Sequence, residues 1–406
     1  KMMKNNSIKF FDFSLALVFI TLPAPKYSLN SLAIILLVIS WLFVGSFSQK
    51  IEAFKEQKNS ILIFSLIIIT LLFGLLYTEN FNEGLSQIKD KAPLILLPVV
   101  LLTTNSIKRG QEYYYFKLFA ISTIVWGVFA IVKALILSYM GMGNYFVYSE
   151  FAILLNKHTT YYSLFCVISV NYLIYDLLYI KKTSRIAIFF SILFLLLVIY
   201  MLSSRMAILC LLLIAIFYIK QYFTKNNQQI FLVTLVLSAT LATLFFSSNY
   251  VSRFESIYSK NNKITEVNTR LIHWTSAFET LDNKSIILGK GTGDGKNNLF
   301  KQYKLNKFEA GFKNKYNAHN QYIEFTLSNG LLGLVSYMAF LFLPLIYAIR
   351  MNDFFGILCI LILALCSITE SILERQSGIL ITSLIVSFVY SHNKNKLSEN
   401  LSLKRE

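Results

Sequence analysis

Apolar runs of near-bilayer length recur from one end of this chain to the other. A helix crossing the roughly 30 Å hydrocarbon layer needs about 20 mainly apolar residues. Runs of that kind lie at 10–25, 28–47, 60–78, 86–104, 115–139, 159–180, 185–203, 205–222, 229–248, 321–349, 354–371 and 376–391. The first ends in Pro23 and Pro25; the fourth carries Lys89, Asp90 and Lys91 near its start and Pro98 within it. The chain is 55% hydrophobic and only 15% charged, against about 25% charged in a typical soluble domain. A water-soluble fold could not cover so much apolar surface. The expected fold class is an all-α integral membrane protein of about 12 transmembrane helices, which excludes cytosolic enzymes, disulfide-rich secreted modules and disordered scaffolds.

The net charge of +17 could suggest nucleic acid as a partner. The charges sit instead in short clusters between apolar runs, where basic residues anchor and orient spans, and no groove-reading motif accompanies them. With the N-terminus inside, the cytoplasmic segments hold 19 basic residues and the short outer loops hold 6. That bias predicts cytoplasmic N- and C-termini in the plasma membrane. The expected organisation is a bundle of nine spans over 1–248, an outer loop over 249–320, three further spans over 321–391, and a cytoplasmic tail over 392–406. Cys166, Cys210, Cys359 and Cys366 all fall inside apolar runs and read as small core residues. The first apolar stretch lacks a small-residue cleavage site, so no cleavable signal is expected.

The polar stretch 249–320 is unlike the other connections. Ile264, Val267, Leu271, Trp274, Phe278 and Leu281 recur at alternating steps of three and four. This predicts an amphipathic helix over 264–282 with its apolar stripe laid on the bundle. Arg270, His273 and Ala277 share a neighbouring stripe, and a second short helix is expected near 297–308. The stretch 289-GKGTGDGKN-297 is not a P-loop, because the Gly-x4-Gly-Lys-Ser/Thr spacing fails at both Lys290 and Asn297; it reads as a flexible turn.

The topology gathers unusual polar residues at one face. His158 opens span six, Arg205 lies between spans seven and eight, and Arg270, His273 and His319 lie in the long loop. Glu370, Glu374 and Arg375 lie between the last two spans. Arg205 interrupts a near-continuous apolar run from Ile186 to Ile219 with neither Gly nor Pro beside it. A partly shielded guanidinium there needs an anion, and its planar fork suits a pair of phosphate oxygens.

Three motifs carry a family resemblance. The segment 317-NAHNQYIEFTLSNGLLGL-334 looks like a His-Asn-x-Tyr span opening followed by Gly-x-x-Gly. The segment 269-TRLIHWTSAFETLDNKSIILGKGTG-293 repeats an order of Arg, Trp and Gly-x-Gly, and Ser204-Arg205 sits at a short outer hairpin. Together they resemble the bacterial O-antigen ligase and polymerase-like membrane glycosyltransferases. One departure is Ser328, where the family often has an acidic residue; Glu324, one helical turn earlier, is the expected substitute. The resemblance implies transfer of a glycan from an undecaprenyl-diphosphate carrier to an acceptor hydroxyl at the periplasmic face, with inversion and without a cofactor or metal. It implies diphosphate binding by Arg205 and Arg270 and a general base at His319. Asn320, Tyr322, Glu324, His158, His273, Glu370, Glu374 and Arg375 are possible substrate-lining residues. The acceptor is lipid A-core for a ligase and a second glycan chain for a polymerase. The competing class is a 12-span transporter or lipid flippase, disfavoured by dissimilar halves and by polar groups gathered at one surface rather than the midplane.

Overall fold

The computed structural model describes residues 2–104, 106–107, 110–222, 266–283 and 285–403, and every regular element among them is helical. In chain order over these residues the helices are α1 (Met2–Thr21), α2 (Tyr27–Phe43), α3 (Phe47–Glu56), α4 (Lys58–Leu75), α5 (Phe81–Lys91), α6 (Pro93–Leu102), α7 (Glu112–Tyr139), α8 (Tyr148–Leu154) and α9 (Thr159–Tyr175). They continue with α10 (Arg185–Leu202), α11 (Arg205–Tyr222), α12 (Glu266–Thr280), α13 (Ser285–Leu288), α14 (Gly295–Leu305), α15 (Glu309–Lys313), α16 (Gln321–Arg350), α17 (Phe354–Thr369) and α18 (Gln376–Leu403).

Five of the described helices are long and apolar enough to cross a membrane, and a sixth candidate is the pair α2–α3, bent by 106°. This falls short of the expected twelve. The expected fourth span is broken: Pro93 starts α6 at its first position, where a missing N–H costs nothing, and α6 is only 10 residues long. The last two apolar helices, Phe354–Thr369 and Gln376–Ser391, are short, and the expected ninth span, 229–248, lies outside the described residues. A multi-pass membrane protein follows from the five long spans alone.

The layering is read from burial. The span beginning at α9 is 83% buried, whereas the spans of α4, α7, α10 and α16 are 33–39% buried, so α9 is the central post and the others turn one face to lipid. On α7 that outward face is Val125, Val128, Phe129, Val132 and Ile136. Lys133 lies on the same exposed side. Asp176, fully buried at the end of α9, accepts from Lys182 N at 3.1 Å, closing a turn of π-helix.

Inside the bundle a polar ladder fixes register. Tyr218 of α11 donates to Asn171 of α9 at 3.1 Å, and Asn171 reaches Cys359 Sγ of α17 at 3.3 Å. Further along, Cys210 and Cys366 approach to 3.9 Å. As numbers rise along α11 they fall along α17, so the two helices run antiparallel.

The expected flexible turn near 289–295 is a wedge packed backbone to backbone. Helix α16 breaks at Asn329 and at Gly330, whose φ of 61° and ψ of −151° suit only glycine. The break frees the carbonyls of Leu327 and Ser328, and Lys290 N and Gly291 N donate to them, each at 2.9 Å. A Cβ on Gly293 would stand 2.2 Å from the Asn80 carbonyl oxygen, so close approach, not flexibility, explains that glycine. Asp294 then accepts from Glu79 N at 2.6 Å and Asn80 N at 3.2 Å, tying the wedge to the start of α5.

Candidate active site

The site is assembled where α9 begins, α17 ends and α16 begins. Glu370 is the residue that ends α17, and its side chain is only 5% exposed. One carboxylate oxygen lies 3.4 Å from His319 Nδ1 and the other 3.9 Å from His158 Nδ1. Thr160 donates to the same carboxylate at 3.4 Å. The two histidines therefore face one buried acid from opposite sides.

Local structure explains how each is held. His158 is the residue before α9 and does not cap it with its side chain. His319 has a left-handed φ of 46°, and its N–H donates to Asn317 Oδ1 at 3.0 Å. Asn320 caps α16 by accepting from Ile323 N at 3.1 Å, while its own N–H donates to Ser371 Oγ at 3.2 Å. Tyr161 donates to the Ser371 carbonyl at 3.1 Å, and Leu373 N donates to Gln321 Oε1 at 2.6 Å. The 370–375 connection is thus stitched to α9 and α16. Tyr322 points away, donating to the Ala364 carbonyl at 3.1 Å; like Asn320, it spends its polar group on helix packing.

The other expected residues divide into two groups. Arg270 lies within electrostatic reach of Glu370, His158 and His273, and Arg375 within reach of His158. Arg205 opens α11 immediately after Ser203, which takes a left-handed φ of 49°, and Ser204, whose hydroxyl accepts from Ala207 N at 3.4 Å. These serines make the tight hairpin without glycine. In the antiparallel register set by Cys210–Cys366, Arg205 lies one turn and a half before Cys210, about 7.5 Å of rise, level with Glu370 and Ser371. Arg205 is half-buried at the same end of the bundle.

His273 sits behind His319, ring centroids 5.1 Å apart, in a nest of Tyr303, Phe308 and Tyr316. Its Nδ1 is 2.7 Å from the Tyr303 hydroxyl. Burial, reinforced by His319 and Arg270, pushes it down to about 3, so it stays neutral across the physiological range. Burial also lowers His158, against the opposing pull of Glu370. The expected stripe is met in part: Trp274 and Leu281 pack with His273, Ser276 and Ala277 toward the protein, while Leu271 and Phe278 are 50% and 57% exposed. Ile264 lies outside the described residues. In a membrane protein an apolar stripe need not face protein; here the small and polar face packs on α14 and α16.

Glu374 belongs to a separate cluster. Its carboxylate lies 2.9 Å from Lys91 Nζ and 2.5 Å from Lys296 Nζ. Burial opposes its ionisation, but the two ammonium groups outweigh burial and hold it down at about 2. Lys296 is raised, because Glu374 and Glu324 overcome its own desolvation. Glu324 accepts from Ala318 N at 3.0 Å and shares a small cavity with Lys91, Lys296, Gln321, Ser328 and Glu374. The acidic partner of His319 is therefore Glu370, and Glu324 looks toward the lysines. Neither Lys91 nor Lys296 was expected in the site from sequence. Their one visible signal was a lysine inside an otherwise apolar run, at Lys91. Among the described residues no group of three or more His, Cys, Asp or Glu side chains is arranged to hold a metal ion.

The fold and this site define a multi-pass helical membrane protein with a histidine–carboxylate centre and arginines at one end of the bundle. Residues 190–338 match the family model described as O-Antigen ligase, a stretch that contains Arg205, Arg270, His273 and His319 but not His158 or Glu370. Over that stretch the chain is similar to O-antigen ligases, a family that implies a glycosyltransferase-like ligase acting on a polyprenyl-linked glycan. Over 362 residues, 82% of this chain and 84% of the relative, the sequence is 23% identical to an uncharacterized protein of Haemophilus influenzae.

Proposed function

We propose that this protein is a membrane glycosyltransferase that moves a glycan from undecaprenyl diphosphate to an acceptor hydroxyl at the periplasmic face, acting as an O-antigen ligase on lipid A-core. The observation that carries the reading is the Glu370–His319 pair within reach of Arg270, with His319 and Arg270 inside the matched family segment. His319 Nδ1–H donates to Glu370, which leaves Nε2 as the proton acceptor. Nε2 takes the proton of the acceptor hydroxyl as its oxygen attacks the anomeric carbon. The bond from that carbon to the diphosphate oxygen breaks, and the electron pair leaves with the diphosphate. One displacement inverts the anomeric centre. Arg205 and Arg270 stabilise the developing charge, and each such contact is worth about 3–4 kcal/mol in a preorganised site. The bias of basic residues in the sequence supports an N-in, C-in topology, with this end of the bundle in the periplasm. Glu370 orients the imidazole, Arg375 lines the acceptor side with His158, and His273 backs His319 as a neutral packing partner.

Deletion of the gene followed by gel analysis of lipopolysaccharide tests the reading. Loss of all long chains with carrier-linked polymer accumulating is the ligase result. Cores bearing a single repeat indicate a polymerase, and an unchanged ladder contradicts both.

A further inference from the structure

Lys157 is a buried cation for which the described residues supply no anion. Its side chain packs into the protein, the whole residue only 7% exposed, with Nζ 3.7 Å from the centre of the Tyr27 ring. No carboxylate pairs with it and no hydrogen bond engages it among the described residues. Burial alone lowers it to about 8. An aromatic face offsets part of an ammonium's desolvation, but it offers no lone pair to its three donors.

The surroundings are arranged for negative charge. Tyr27 is the first residue of α2, a 17-residue helix whose N-terminus has no side-chain cap. Lys157 itself stands two residues before α9, whose N-terminus likewise has no side-chain cap. Two sets of open backbone N–H groups therefore flank the ammonium. Asn156 donates to the Pro25 carbonyl at 3.1 Å, and Gln376 donates to Ser31 Oγ at 3.0 Å. These bonds hold the starts of α2, α9 and α18 together. His158 joins this group to the Glu370 centre, on the side away from His273.

We propose that Lys157, with the open N-termini of α2 and α9, forms a second anion site that binds the phosphate of a lipid. The inference rests on the reading of the protein as an enzyme using a lipid-linked phosphate donor. A phosphate oxygen would take the place beside Nζ that no protein acceptor fills among the described residues. Two lipids carry this chemistry, the polyprenyl diphosphate and an anionic phospholipid of the bilayer.

The test uses the full chain in phosphatidylcholine nanodiscs, with fluorescent undecaprenyl diphosphate and, separately, phosphatidylglycerol as probes. Lys157→Met is expected to weaken binding of one probe about tenfold or more, and Lys157→Arg less than about threefold, since Arg keeps the charge. Loss confined to undecaprenyl diphosphate assigns the site to the donor; loss confined to phosphatidylglycerol assigns it to the bilayer headgroup. Lys157→Met binding both probes as wild type overturns the inference. Arg270→Ala is the control: Lys157→Met binding both probes as wild type while Arg270→Ala loses the donor refutes this site alone, whereas donor binding kept in Arg270→Ala counts against the proposed function.

Discussion

The 370–375 connection presents two carboxylates to two different neighbourhoods. Glu370 lies between two histidines, one of them 26% and the other 38% exposed. Glu374 lies between Lys91 and Lys296, with contacts of 2.9 and 2.5 Å. Both acids are buried and both face a pair of bases. Imidazoles gain and lose protons near neutrality, whereas ammonium groups held by carboxylates do not. On the proposed reading the first arrangement moves a proton and the second holds shape, so that one short loop carries the chemistry on one side and its anchorage on the other.

The sharpest way to break this comparison is to remove the base. His319→Ala is expected to lower glycan transfer about 10²–10⁴-fold with the protein still in the membrane at normal abundance. Donor consumption in purified, reconstituted protein checks this. Glu370→Gln keeps the shape and loses the charge, and we expect a smaller drop of about 10–100-fold, read in the same assay as a change in kcat more than KM.

The lysine cluster should answer differently. Removing one partner of a buried ion pair costs about 3–5 kcal/mol, so Lys296→Met should lower the thermal midpoint markedly and change turnover per folded molecule little. Turnover falling as far as in His319→Ala, with the midpoint unchanged, would merge the two clusters into one function. Acid should show the same anchor. Glu374 is depressed to about 2 in the fold, below the ordinary carboxylate value, so its contribution is full above about pH 4.5 and is lost as pH falls toward 2. Light-scattering melts of wild type and Glu374→Gln between pH 3 and 7 would show the two curves converging at the acid end.

His273 predicts the smallest effect. Its folded value of about 3 lies below the ordinary histidine value of about 6.5, so the unfolded chain binds the extra proton between those limits. Its contribution is intact above about pH 6.5 and declines as pH falls below it. His273→Phe should flatten that decline, and melts that stay parallel to wild type would remove His273 from the account.

The positions of the long spans were legible in the sequence because run length is set by bilayer thickness. His319 and His158 stand out in the sequence as polar residues at the edges of apolar runs, and Arg270 stands out through its helix stripe and the 269–293 motif; all three lie within reach of Glu370 in the fold. Pairing was not legible. Glu370 meets His319 across 51 positions and Lys91 meets Glu374 across 283, and neither periodicity nor spacing carries such contacts. The face of α12 was legible only in part, with Trp274 and Leu281 packed inward and Leu271 and Phe278 exposed: near a membrane an apolar side chain can meet lipid as well as protein, so an apolar stripe does not say which it meets. The glycines at 289–295 resemble a loose linker in composition, yet Gly291 and Gly293 lie against Thr78 and Asn80. Only the fold shows the backbone they touch.

The central claim is a proton leaving an acceptor hydroxyl for the imidazole that Glu370 orients. Single-turnover transfer from undecaprenyl-diphosphate-linked glycan to lipid A-core, by reconstituted wild type and His319→Ala with donor binding measured in parallel, tests it most directly. The account predicts that His319→Ala binds donor within about threefold of wild type, as a residue that acts only in the transition state should, while transfer falls at least about 100-fold. Transfer at the wild-type rate by a folded, donor-bound His319→Ala protein would contradict it.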